Sequence, residues 1–181
     1  MSPVSGRIAL ANEETVEALG RAVPARFYAL VLLLRFTGLR WEEAVALRRR
    51  RCFVVEGSIE VAERAVLTAS GVKFRFLSAR DYGWVAVRGD VRDALAVHLA
   101  CFVRKGRNAL VFTNEDGASL VRRAFEADVW RPALTAVGLP EEDHGIDTLG
   151  TARLWEWMHE TTAQRASLRA GSNQRQGATN E

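Results

Sequence analysis

The chain has 181 residues, about half of them hydrophobic, with 25 Lys plus Arg against 22 Asp plus Glu and a formal net charge of +3. That length can bury one sizeable core, and so small an excess of positive charge excludes a histone-like polyanion binder, leaving any nucleic-acid signal to the placement of the cations. Cys52 and Cys101 have no metal-ligand spacing, which excludes a zinc or disulfide framework and fits a reduced, cytoplasmic setting. The opening MSPVSGRIAL has no secretory apolar core, and the longest apolar run, Tyr28 to Leu34, is too short to span a bilayer, so no membrane partner is expected.

In chain order, Asn12 is placed to cap a helix over EETVEALGRA, with acids in its first turn. Pro24 suits the start of a second helix, ARFYALVLLLRF, apolar almost all round and therefore the expected central core helix. Gly38 ends it, and WEEAVAL begins a third helix directly after Arg40. From Cys52 to Val87 the short runs CFVV, SIEV, VKFRFL and WVAV, separated by glycines, predict a small antiparallel sheet. Asp90 can cap the helix DVRDALAVHLACFV. A brief ALVFT strand or turn then leads to SLVRRAFEADVWRPALTAVG, a helix expected to be kinked at Pro132.

A last amphipathic helix is expected over residues 149–159. From Thr161 the chain is almost free of large apolar residues and cannot offset its ordering entropy. The expectation is one α+β, mainly helical domain over residues 1–160, its helices around a three-stranded antiparallel sheet, with a disordered tail over residues 161–181.

FTGLRWEEAVALRRR, followed in order by the β region, a helix, the LVF segment and VWRPALTAVGLP, resembles the catalytic domain of the tyrosine recombinases, the phage-integrase family. The resemblance runs from about Ala9 to Pro140. It implies a double-stranded DNA partner, DNA integration or recombination as the ancestral role on a phage or mobile element, and self-association or cooperation with another recombinase subunit. It also implies strand cleavage by a tyrosine through a covalent phosphotyrosine, with no metal or nucleotide cofactor. Without a metal, negative charge on the phosphate oxygens must be held by arginines through charge-assisted hydrogen bonds.

On that resemblance Arg40 takes the place of the first phosphate-clamping arginine, and Glu43 that of the acid which helps hold it. Lys73 on VKFRFL is the only lysine of the β region and a candidate for the family's sheet lysine, whereas aligning WVAV to the family's next strand puts Ser78 at that position. In the second box, GIDTLGTARLW places Asp147 and Gly150 where a histidine and the second arginine belong, and Arg153 is one helical turn further on. The two tyrosines, Tyr28 and Tyr82, fall in the core helix and the β region, away from the place of the nucleophile. Independent catalysis is therefore not expected, and a non-catalytic DNA-binding or remnant domain of the same fold is the alternative. Arg48, Arg49, Arg50 and Arg51 have two readings, complements to a helix dipole or contacts to DNA phosphates. Arg122 and Arg123 either extend a basic face or form a solvated helix side.

Overall fold

The computed structural model describes residues 13–140 and 146. The expected Asn12 cap, the final helix, the tail, and Asp147, Gly150 and Arg153 lie outside them. Helix α1 (Glu13–Ala22) packs on α2 (Ala25–Thr37). Pro24 precedes the first turn of α2, and Gly38, at φ 70°, ends it in the left-handed conformation that glycine adopts without cost. As expected, α2 is buried nearly all round, from Phe27 to Phe36. Its contacts with α1 and with α4 (Gly89–Cys101) form the centre of the hydrophobic core.

The short helix α3 (Trp41–Ala44) follows the Gly38 turn. It stops at Ala44, not Leu47, so the arginine run does not end this helix. Residues Arg49–Arg51 instead form a separate 3-10 turn, entered along a backbone that pairs with the LVF segment: Val111 N donates to Leu47 O at 2.9 Å, and Arg49 N to Ala109 O at 2.9 Å. Pairing with a distant segment pulls the chain out of helical geometry, a constraint that local periodicity does not carry.

The three-stranded antiparallel sheet is present, in the order β1 (Cys52–Phe53), β2 (Ser58–Val61), β5 (Gly83–Ala86). VKFRFL is not part of it. Between β2 and β5 the chain forms a separate hairpin, β3 (Glu63–Thr68) with β4 (Gly71–Phe76), closed by a tight turn at Ala69 and Ser70. β3 was not expected as a strand. Its alternation, buried at Glu63 and Ala65 and open at Arg64, is nonetheless the period of a half-buried strand.

Beyond α4, α5 (Arg122–Phe125) continues through a π-helical turn (Glu126–Trp130) into α6 (Arg131–Ala136). The expected kink at Pro132 takes this form. Proline has no N–H to donate, and its ring crowds the carbonyl four residues back, so the turn before it widens while φ and ψ stay helical. Trp130, 1% exposed, anchors this end in the core.

Candidate DNA-contact surface

In the stretch Thr37 to Trp41, Leu39 and Trp41 are buried and Arg40 between them is exposed. Burial of both neighbours turns the Arg40 side chain outward. Trp41 is held by the ring of Phe125, centroids 5.0 Å apart, and Phe125 in turn meets Phe27 of α2 edge-on at 5.0 Å. The backbone is fixed as well: Arg40 N donates to Glu43 Oε2 at 3.0 Å, and Arg40 O accepts from Ala44 N at 3.0 Å. Glu43 therefore supports Arg40 through the main chain, as an acid in the first turn of α3. Among the described residues, no carboxylate lies within ion-pair distance of the Arg40 guanidinium.

Arg40 borders a cleft of about 380 Å³ between α3, the free edge of β3 and the turn after β4. Both signs of charge meet there: Arg40 and Arg64 against Glu42, Glu43 and Asp81. Glu43 is engaged by the Arg40 amide, and Asp81 accepts from the Ser78 hydroxyl at 2.7 Å. Ser78 is thus an exposed turn residue. A second cleft of about 250 Å³ lies between α3, the hairpin and the start of α5, and includes Trp41, Leu67, Leu120, Arg122 and Arg123. Arg122 pairs with Glu126 at 3.0 Å, whereas Arg123 is exposed.

The arginine run is used differently along its length. Arg48 donates to Glu63 Oε2 at 3.1 Å and to Asn108 O at 3.1 Å, and its guanidinium lies 4.5 Å from the centroid of the Phe74 ring. Arg49 donates to Leu99 O at 2.7 Å, meeting a carbonyl that the end of α4 leaves open. The dipole complement foreseen for this run is therefore made, but to the C-terminus of α4 rather than to its own helix. Arg51 pairs with Glu60 and lies 3.8 Å from Glu63. Burial pushes the Glu60 carboxyl up, but hydrogen bonds from Tyr82 and Arg51 outweigh it and leave the group below its usual value. Arg50 is the exposed member.

Lys73 sits on the outward face of β4, opposite Val66, and does not border the Arg40 cleft. Neither tyrosine borders it: Tyr28 packs against Gly20 in the α1–α2 contact, and the Tyr82 hydroxyl donates to Glu60 at 2.8 Å. Burial pushes the Cys52 thiol up to about 12, so it is inert at neutral pH. Arg64 and Arg75 were not singled out from sequence. The signal was available in the two alternating runs ERAVLT and GVKFRF around a short turn, which put these arginines opposite each other.

No protein-family model matches the sequence, and no curated protein does. Solved structures do. The Tn1549 transposon integrase in complex with circular intermediate DNA superposes with a TM-score of 0.64 and 16% identity, over 83% of this chain and 51% of that one. XerA recombinase superposes with a TM-score of 0.62 and 18% identity, over 85% of this chain and 51% of that one. The chain thus spans about half the length of each. On these superpositions it has the tyrosine-recombinase fold.

Proposed function

We propose that the chain is an integrase-like DNA-binding domain that contacts the duplex backbone through Arg40 and does not form a covalent DNA adduct by itself. The observation that carries this is the state of Arg40: exposed, with no carboxylate partner among the described residues, on a turn held by two buried neighbours and the Glu43 carboxylate. A guanidinium carried on a fixed backbone and not paired to an acid can meet phosphate oxygens without first giving up a partner. Because Glu42, Glu43 and Asp81 share the cleft, Arg40 acts as a local contact and not as part of a broad positive field. Arg123, exposed at the neighbouring cleft, supplies a further backbone contact. Neither Tyr28 nor Tyr82 borders the cleft, which supports the non-catalytic reading.

The test combines duplex binding with a denaturing gel on suicide DNA substrates. Wild type is expected to bind duplex, Arg40→Gln to bind several-fold more weakly, and neither to leave a covalent adduct. A covalent adduct formed by the lone chain overturns the non-catalytic reading; unchanged binding by Arg40→Gln removes Arg40 from the interface.

A further inference from the structure

The outward face of the β3–β4 hairpin is charged in a way the cleft does not explain. Register puts Arg64 directly opposite Arg75, and Lys73 opposite Val66. Lys73 and Arg75, two residues apart on one strand, are separated by about 6.8 Å along it. All three cations are exposed, and the face is completed by Val66, Thr68 and Gly71, with no carboxylate. Among the described residues none of the three has an ion-pair partner. Like charges directly across an antiparallel pair oppose the hairpin. The apolar under-face, where Ala65 is buried and Phe74 packs against the core, would hold the hairpin equally well with an acid at either arginine. The repulsion therefore does nothing for folding.

We propose that Arg64, Lys73 and Arg75 form a backbone grip on a DNA duplex running past the Arg40 cleft, an inference that rests on the DNA-binding reading above. Arg64 belongs to both surfaces, since it also lines the cleft, so the two are continuous. A duplex phosphate backbone is the occupant that charge complementarity favours. It takes a row of cations without base-edge readout, and its counterion release compensates for bringing like charges together. A folded protein partner fits less well, because Val66 is the only large apolar side chain on this face and it is partly buried.

The experiment measures binding of the full chain to a labelled duplex as salt rises from about 50 to about 200 mM, where each phosphate contact contributes about 0.9 to the slope of log affinity against log salt. Arg64→Gln with Arg75→Gln is expected to lower that slope by about 0.9 for each contact removed. Arg75→Glu is also expected to weaken duplex binding while raising the melting temperature, because an opposed ion pair replaces a repulsion. This opposite movement separates lost contacts from a damaged fold. Wild-type duplex binding with affinity and slope unchanged in both variants overturns the hairpin grip and leaves the domain's DNA binding standing. Failure of wild type to bind duplex at all overturns both. Variants that lose heparin or anionic-vesicle binding but keep duplex binding overturn the grip by assigning the face to another polyanion.

Discussion

Two groups of arginines, drawn from neighbouring stretches of one chain, meet opposite fates. Arg48, Arg49 and Arg51 are turned inward, onto Glu60, Glu63 and the carbonyl oxygens of Leu99 and Asn108. Arg40, Arg64 and Arg75 face outward with no ion-pair partner among the described residues. A run of cations in sequence is thus no guide to where a polyanion is met. What distinguishes the groups is whether the fold brings a carboxylate or an open helix end to them. A paired guanidinium must give up its partner before it can take a phosphate, and an unpaired one need not.

The sharpest way to break that contrast is to remove the acid that holds the inward group. Glu63 is 9% exposed and faces both Arg48 and Arg51, so Glu63→Ala leaves two largely enclosed cations short of a partner. It is expected to cost about 3 kcal/mol, read by urea unfolding, whereas Arg50→Ala, at the exposed member of the same run, stays within about 0.5 kcal/mol. Equal losses in the two variants would erase the distinction between the groups.

On the outward side, Gly38→Ala tests how far the Arg40 turn depends on backbone conformation. Nothing would crowd the new methyl group, but φ 70° disfavours it, and a loss of about 1–2 kcal/mol is expected with weaker duplex binding, measured by thermal melting and anisotropy. Retained stability together with retained binding would show that the turn tolerates another path into α3.

The smallest effect concerns the helix end on which Arg49 rests. His98, buried between the rings of Phe102 and Phe112, is bonded through Nε2 to Val111 O at 2.8 Å. Burial holds its imidazole below the usual value near 6.5, outweighing the backbone hydrogen bond that raises it. The unfolded chain then binds a proton that the fold resists. The contribution is fully present above about pH 6.5 and is lost as pH falls toward the lower folded value. His98→Phe is expected to flatten that part of the acid limb in denaturation curves recorded from pH 7.5 down to about pH 5. An unchanged limb would mean that His98 binds its proton equally well in the folded and unfolded chain.

Much of the local structure was legible. Gly38 as a helix stop, the all-round apolar ARFYALVLLLRF as the core helix, and the disturbance before Pro132 each follow from one residue's backbone limits or from a pattern within one turn. Arg40 stood out in the sequence from its box, and the structure places it on an exposed turn. Less legible were the end of α3 at Ala44, the hairpin that separates VKFRFL from the main sheet, and the manner in which Glu43 acts. These depend on pairing with segments tens of residues away, such as Leu47 with Val111, which no local window contains.

By itself, the sequence determined the α+β class, most of the order of the elements, the turn on which Arg40 stands and the presence of only two tyrosines. All of these rest on local propensity, side-chain pattern or residue count. Only the tertiary structure decided which arginines have partners and which do not. The free energy of a guanidinium depends on the charges and carbonyl oxygens that reach it, and those are delivered by strand pairing and helix packing between distant parts of the chain.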